Sequence, residues 1–256
     1  MAAMMQVQSA VSEGRAGTAL ANKILDKITV IADEADEAAL IARITSTATP
    51  LVISFVNQNV MNLAWRSPEY AACLIDSDIL FRDGIGIELC LAALGRQAGR
   101  NMNGTDFTPR LAAAFAGRRT AIFGTEEPWI GRAAEALAGL GCQVVAKMDG
   151  FKPETDYVAE TVRALPDLII LAMGNPKQEI VARIISSSVR SPVVIVNGGA
   201  VADFLAGRFE RAPLWVRRAR CEWVFRLLHE PRRLWRRYLL GGVSFAWYLM
   251  RLRMAP

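Results

Sequence analysis

Short runs of β-branched and aliphatic residues alternate along this chain with amphipathic stretches, and this alternation limits the fold more than any other feature. Strand-like runs include PLVISFV at 50–56, DILFR at 78–82, DLIILAM at 167–173 and VVIV at 193–196. Strands that alternate with helices of roughly 10 to 15 residues form mostly parallel sheets that helices cover on both faces. The sequence therefore predicts an α/β fold with a Rossmann-like, mostly parallel sheet.

The alternation also divides the chain into three parts. Residues 1–22 hold Ser, Gly, Ala and Gln without a long apolar run, and we predict a flexible segment there. A further candidate strand covers residues 24–31. After Gly207 the strand pattern stops, and two helical stretches follow at 214–230 and 232–248. We therefore expect a flexible segment at 1–22, an α/β core at 23–207 and a helical appendage at 208–256.

The charge of the chain is concentrated in this appendage. It contains 12 arginines, no lysine and three acidic residues, a net charge of +9, whereas the first 207 residues carry −4. The planar guanidinium of arginine suits bidentate contacts with phosphate. The appendage therefore predicts an anionic partner: a diphosphate, anionic lipid headgroups or nucleic acid. Nucleic acid is disfavoured because the arginines lie in amphipathic helical stretches beside an α/β core.

Four tryptophans are interleaved with these arginines: Trp215, Trp223, Trp235 and Trp247. Tryptophan is enriched at membrane–water interfaces, so the pattern indicates attachment to a membrane surface. The alternative is a solvated helix face with a few core tryptophans. The most apolar late run, 238–250, is shorter than the roughly 20 residues of a membrane-spanning helix, so attachment would be interfacial.

Cysteine and histidine usage argues against a metal centre or a disulfide framework. The four cysteines form no C-x-x-C pair, and His229 is the only histidine. Scattered cysteines are typical of a reducing compartment. Residues 1–22 show no signal-peptide pattern. We therefore expect a cytoplasmic location and no metal ion.

Polar or glycine-rich turns follow four of the predicted elements. In open parallel sheets, ligands bind at the carboxyl ends of the strands, and each turn here leads into a helix N-terminus that favours phosphate. The pattern predicts a nucleotide diphosphate as ligand. The turns lie at 57–59, 83–86, 174–179 and 197–199.

The turn that begins Asp83-Gly84-x-Gly86 is the sharpest of these features. Its glycines allow the backbone to approach a ligand, and Asp83 is suited to take a proton from an attacking hydroxyl. The alternative is that Asp83 only caps the following helix. Leu89 occupies the third glycine position of G-x-G-x-x-G, which disfavours a dinucleotide site.

Three more polar residues are candidates with structural alternatives. Gln178 could donate a hydrogen bond to a sugar hydroxyl, or it could cap its helix or face solvent. Asn197 could contact the ligand or only form a turn, and Asp203 could be an exposed helix residue.

With these residues in place, the chain resembles the WecG/TagA/CpsF family of bacterial glycosyltransferases (glycosyltransferase family 26). The last matching stretch is long and specific, and together the stretches span residues 25 to 240. They are VNQNVMNLAW at 56–65, RDGIGIEL at 82–89, NGTDF at 103–107, FGTEEP at 123–128, MGNPKQE at 173–179, VNGGAVADFLAG at 196–207 and RAPLWVRRARCEWVFRLLHEPRRLWRRY at 211–238.

This resemblance implies inverting transfer of a sugar from a UDP-sugar to a polyprenyl-diphosphate-linked sugar, without a metal or other cofactor. It implies an appendage that completes the site and docks peripherally on the cytoplasmic face of the inner membrane. The general base falls on Asp83. The substrate-binding candidates, including Gly84 and Asn197 from the turns, are Asn57, Gly84, Gln178, Asn197, Asp203, Arg211 and Arg226.

Two positions depart from the N-acetylmannosaminyltransferase branch of the family, in which we expect Thr at 55 and Arg at 101. Phe55 and Asn101 stand there, although Arg100 is adjacent. This favours the xanthan-type glucosyltransferase branch, with transfer from UDP-glucose to lipid-linked glucose in exopolysaccharide synthesis. N-acetylmannosaminyl or glucuronosyl transfer, a nucleotide-dependent oxidoreductase and a non-catalytic membrane adaptor are the alternatives. Homo-oligomerisation stays open.

Overall fold

One six-stranded parallel sheet forms the centre of the protein. The computed structural model describes residues 17–254, except for the side chains at 218, 233 and 253–254. The strands pair in the order β2-β1-β6-β5-β3-β4, every pairing is parallel, and the predicted fold class is confirmed. The strands are β1 (Leu51–Val56), β2 (Ile79–Arg82), β3 (Arg119–Gly124), β4 (Gln143–Met148), β5 (Leu168–Ala172) and β6 (Val194–Asn197).

Helices cover both faces of this sheet. A π-helical turn, Arg236–Leu240, joins the last two of them. They are α1 (residues 17–26), α2 (Glu34–Thr45), α3 (Gln58–Arg66), α4 (Pro68–Asp76), α5 (Ile85–Ala93), α6 (Gly104–Ala114), α7 (Trp129–Gly139), α8 (Glu154–Ala164), α9 (Lys177–Ser188), α10 (Val201–Leu205), α11 (Leu214–Arg218), α12 (Glu222–His229), α13 (Pro231–Trp235) and α14 (Gly241–Met254).

Alternating side chains of the buried strands supply the two halves of the core. One face packs against α2, α6, α7 and α10, and Phe55 and Phe81 belong to this half. The other face packs against α1, α3, α5 and α14 near β1 and β2, and against α8 and α9 beyond them. The helices that follow β1 and β6 therefore lie on opposite faces. This arrangement leaves a crevice at the carboxyl edge of the sheet, where open α/β sheets bind ligands.

Short polar side chains start several helices where the sequence predicts it. The Asp33 carboxylate accepts the Asp36 N–H at 2.9 Å and caps α2. The Ser67 hydroxyl accepts the Tyr70 N–H at 3.2 Å, and Pro68 begins α4. An N-cap of this kind satisfies backbone donors that have no partner inside the helix.

The N-terminal part of the core differs from the prediction. The strand predicted at 24–31 is wrong: α1 occupies 17–26, and only Ile28 forms an isolated parallel bridge, with Leu80. Ile24, Leu25 and Ile28 are buried in one cluster with the spacing of a helix face. In a short apolar run, this spacing cannot be distinguished from a buried strand. Residues 17–22 of the segment predicted to be flexible are likewise helical, and residues 1–16 lie outside the described part.

The appendage is more broken than its sequence pattern indicates. In place of two long helices, it forms α11 to α14 with interruptions at Arg220, whose φ is +60°, and at Pro231. Proline cannot continue a helix that precedes it. Phe245 and Tyr248 of α14 are buried in the same cluster as α1 and α3. The last helix therefore packs as part of the core. Within residues 17–254, no helix has both the length and the apolar composition that crossing a bilayer requires.

Adjacent aromatic residues on α14 test this packing. Tyr248 is 1% exposed and its ring lies 4.7 Å from that of Trp65, whereas Trp247 is 52% exposed. We predict that Tyr248→Ala lowers the free energy of unfolding by about 3 kcal/mol because it leaves a cavity in the core. Trp247→Ala should cost less than about 1 kcal/mol. Urea unfolding measures both, and equal losses would show that α14 is not part of the core.

Candidate active site

The parallel pairing of β1 and β2 brings Asn57 and Asp83 together. Val56 is in register with Arg82, so the next residue of each strand lies at the same point of the carboxyl edge. The Asn57 side chain caps α3 by accepting two backbone N–H groups, and its Nδ2 donates to Asp83 Oδ2 at 3.2 Å. The Asp83 N–H donates to the Val56 carbonyl at 2.8 Å. The strand ends thus hold the carboxylate in place.

Asp83 is not the cap of α5. Gly84 occupies the N-cap position, and no side chain caps that helix end. Gly84 has a φ of +86°, a conformation that favours glycine, and its N–H donates to Asn101 Oδ1 at 2.7 Å. The capping alternative for Asp83 is therefore wrong. Asn101, which sequence reasoning treated only as a missing arginine, holds this turn.

Arginines of the appendage surround the half-buried Asp83. Burial raises the pKa of the Asp83 carboxyl, while the hydrogen bond from Asn57 and the charges of Arg237, Arg226 and Arg211 lower it. Sequence reasoning had selected Arg211 and Arg226 and missed Arg237. The signal for Arg237 is present in the sequence, because it belongs to the RRLWRRY run.

Arg211 forms ion pairs with one carboxylate of the core and one of the appendage. Its Nη2 lies 2.7 Å from Asp106 Oδ1, and its Nε lies 3.3 Å from Glu222 Oε1. Asn103 caps α6 and holds Asp106 through a 2.8 Å hydrogen bond. Burial, reinforced by the charges of Asp83 and Asp106, raises the pKa of Glu222, although nearby arginines oppose this. The acidic core thus neutralises part of the basic appendage, which the charge count alone did not reveal.

A second chain of ion pairs, through Glu88, joins the appendage to the core. The buried Arg82 lies 3.2 Å from Glu88, whose other oxygen lies 2.5 Å from Arg220 of the appendage. Arg82 also donates to the carbonyls of Ala98 and Gly99 at 2.8 and 2.7 Å. Sequence reasoning missed these residues, although a charged residue at the end of an apolar strand was a usable signal. Their contacts position the appendage beside Asp83.

Asp203 lies farther along the carboxyl edge. Its Oδ1 accepts the Thr125 hydroxyl at 2.8 Å and lies 3.3 Å from Arg208 Nη1. Arg208 also approaches Glu126 at 3.7 Å. Asp203 is therefore not the isolated exposed residue of the alternative interpretation. It connects α10 to the turn after β3.

Comparisons with known proteins agree with this geometry. The family model described as "Glycosyl transferase WecG/TagA/CpsF family" matches residues 25–256. The chain belongs to the WecG/TagA/CpsF family of glycosyltransferases. The resemblance and the predicted glycosyltransferase activity are thereby confirmed. An oxidoreductase and a non-catalytic adaptor, which the sequence had left as alternatives, are not supported.

Two curated relatives of this glycosyltransferase have the same name, N-acetylglucosaminyldiphosphoundecaprenol N-acetyl-beta-D-mannosaminyltransferase. The protein from Bacillus spizizenii strain W23 is 30% identical over 181 residues, which cover 69% of this chain and 70% of the relative. The protein from Bacillus subtilis strain 168 is 28% identical over 193 residues, which cover 73% and 75%.

Gln178 and Asn197 of this glycosyltransferase are directed into the protein. Gln178 is 2% exposed, and its Oε1 accepts the N–H groups of Gly174 and Gly199 at 3.2 and 3.1 Å. Its Nε2 donates to Glu179 and to the Asn197 carbonyl. The Asn197 amide donates to Ser54 at 2.7 Å. In this structure Gln178 and Asn197 support the turns from within the protein, and a contact of either residue with the substrate stays a prediction.

No metal-binding group is apparent around these turns. Among the residues that the structure describes, no three His, Cys, Asp or Glu side chains are grouped so that they could hold an ion. The expectation that the glycosyltransferase needs no metal or other cofactor stays a prediction.

Glu179, beneath the same turns, should make stability pH-dependent. Burial raises the pKa of its carboxyl from 4.5 to about 7, although hydrogen bonds from Gln178 and Asn175 oppose the rise. The folded state then retains a proton that the unfolded state releases, so unfolding becomes easier as pH rises between these values. We predict that Glu179→Gln gains on the order of 2 kcal/mol relative to wild type between pH 5 and pH 8.

Thermal unfolding across this pH range measures the effect. Glu127→Gln is the matched control, because Lys147 lowers the pKa of Glu127 and keeps it ionised throughout. Its difference from wild type should stay constant. If the stability differences of the two variants from wild type changed with pH in the same way, the pH dependence would not come from Glu179.

Proposed function

We propose that this glycosyltransferase transfers a sugar from a UDP-sugar to a sugar on polyprenyl diphosphate, with Asp83 as the general base. The observation that carries the proposal is the position of Asp83 at a strand end, within the field of three arginines. A base and a cluster of cations at one edge match the two needs of the reaction. These are removal of a proton and stabilisation of a diphosphate.

The proposed reaction is a single displacement. Asp83 accepts the proton of the acceptor hydroxyl as that oxygen bonds to the anomeric carbon of the donor. The bond from this carbon to the UDP oxygen breaks, UDP leaves as an anion, and the configuration inverts. A carboxylate with a raised pKa is a stronger base, and the arginine charges favour its ionised form.

The leaving diphosphate needs positive charge, and two sources are available. Arg211 and Arg226 lie close enough to Asp83 to act on its pKa. The helices α5 and α9 begin at the carboxyl edge, and no side chain caps the N-terminus of either, so their first backbone N–H groups are available to a phosphate. Asn57 and Gly84 would shape the part of the site that holds Asp83, and Asp203 would lie near the nucleotide. Gln178 and Asn197 would support the turns between them.

The lipid-linked acceptor is inferred from the names of the relatives, which specify an N-acetylglucosaminyl group on diphosphoundecaprenol. All four tryptophans of the appendage are exposed, with Trp215 at 72%. Apolar side chains at Leu239 and Val243 are exposed beside them. Together with the arginines of the appendage, such a surface suits the anionic cytoplasmic face of the inner membrane. The protein would bind there peripherally.

The donor is proposed as a UDP-hexose, with UDP-glucose first and lipid-linked glucose as acceptor. Phe55, at the position where threonine is expected in the other branch, packs its ring on Phe81 and Phe107 in the core. It offers no hydroxyl at the carboxyl edge. N-acetylmannosaminyl transfer is the second candidate, since both relatives are named for it. Glucuronosyl transfer is the third.

A donor and acceptor panel tests the function. We expect UDP release that requires a polyprenyl-diphosphate sugar, measured with UDP-glucose, UDP-N-acetylmannosamine and UDP-glucuronate against glucose and N-acetylglucosamine acceptors. Asp83→Asn should lose about 10²- to 10⁴-fold in rate. Asp26→Asn is the control, because Asp26 is an exposed partner of Arg96. Near wild-type turnover by Asp83→Asn would refute the role of Asp83.

The pH profile of transfer gives an independent check on Asp83. Asn57→Ser keeps an oxygen that can cap α3 but removes the donor that lowers the pKa of Asp83. We predict that the acidic limb of the kcat/KM profile moves to higher pH in this variant, because the base becomes harder to deprotonate. Asp33→Ser, which alters the cap of α2, should leave the profile in place. An unchanged or acid-shifted profile for Asn57→Ser would contradict the assignment.

A further inference from the structure

One aromatic ring on α10 contacts two arginines of the appendage. The guanidinium of Arg211 lies over the Phe204 ring, 5.5 Å from its centroid, and that of Arg226 lies 5.4 Å from the same centroid. Phe204 is half-buried, and its other aromatic neighbour is Phe209 at 6.1 Å. A guanidinium within about 6 Å of a ring centroid is attracted by the ring quadrupole. Phe204 thus contacts both arginines at once.

The two arginines differ in their other partners. Arg211 forms ion pairs with Asp106 and Glu222, so most of its charge is compensated within the protein. In the part of the chain that the structure describes, no carboxylate forms an ion pair with Arg226. Besides the charges of Asp83 and Glu222, the structure shows the Phe204 ring in contact with the guanidinium of Arg226. Its donors are left for an anionic ligand.

We propose that Phe204 is a positioning residue that aligns Arg211 and Arg226 for a diphosphate. The inference rests on the proposed function and deepens it, because it names what orients the cations of that site. A planar guanidinium suits bidentate contact with a phosphate, and a second cation on the same ring adds positive charge that a ligand with two linked phosphates can use better than a monophosphate. The ring occupies no hydrogen-bond donor, so Arg226 keeps its N–H groups for phosphate, while Arg211 adds the part of its charge that Asp106 and Glu222 do not compensate.

The shared chemistry is a diphosphate, which both the nucleotide donor and the lipid acceptor contain. Titration calorimetry with UDP and UMP measures the diphosphate preference of the donor side. Farnesyl diphosphate and farnesyl monophosphate measure that of the acceptor side. We expect Phe204→Leu to reduce the preference for diphosphate over monophosphate about tenfold in at least one pair. The ligand pair whose preference changes shows whether the arginines hold the diphosphate of the nucleotide donor or that of the lipid acceptor.

Three further variants separate positioning from a general structural effect. Phe204→Tyr keeps the ring and should retain the preference, whereas Arg226→Lys keeps the charge but loses the planar stack and should resemble Phe204→Leu. Phe225→Leu removes a ring from α12 that stacks on His229, and it should leave the preference unchanged. In turnover, Phe204→Leu should raise the KM of the affected substrate more than it lowers kcat.

Several outcomes would overturn the proposal. One is an unchanged diphosphate preference in Phe204→Leu for both ligand pairs. Another is an equal loss for UDP and UMP, which would mean that the ring stacks on the uracil base. A third is a loss in Phe204→Tyr as large as that in Phe204→Leu.

The binding experiments need no turnover, so the two proposals can fail separately. A protein that binds diphosphate through Phe204 but transfers no sugar would contradict only the proposed function. An active transferase with an unchanged preference in Phe204→Leu would contradict only this inference.

Discussion

A carboxylate that leaves water must be compensated by hydrogen bonds or positive charge, and Asp83 depends on both. The hydrogen bond comes from Asn57 on the neighbouring strand, and the positive charge comes from Arg211, Arg226 and Arg237 of the appendage. Neither the α/β core nor the appendage would form this site alone. The pairing of β1 with β2 and the docking of the appendage are therefore parts of one electrostatic arrangement.

The docking of the appendage is itself built from packing and from ion pairs. Packing comes from α14, whose Phe245 and Tyr248 are buried against α1, α3 and α5. The ion pairs join Arg220 to Glu88 and Arg211 to Asp106. Exposed ion pairs contribute little to stability, so the apolar helix supplies most of the attachment and the charges set its orientation.

Much of the fold could be predicted from the sequence, because strand runs, N-caps and glycine turns are local signals. The helix at 17–26 could not, because its short apolar run fits a strand as well as a buried helix. The site was only partly predictable. The glycine turn indicated Asp83 and the family resemblance indicated Asn57 and Arg211, but the direction of a side chain depends on tertiary contacts. Gln178 therefore turned out to support two turns from inside. Phe204 gave no chemical signal of its own, whereas Arg82 gave one only through its charge at the end of an apolar strand.

The central claim is that Asp83 faces the reacting hydroxyl while the appendage arginines face the diphosphate. A crystal structure of the complex with UDP and a soluble acceptor analogue measures this most directly. The account predicts the acceptor oxygen within about 3 Å of the Asp83 carboxylate and the β-phosphate against Arg226. It would be contradicted by an acceptor oxygen separated from Asp83 by other side chains. A diphosphate bound away from the appendage would contradict it equally.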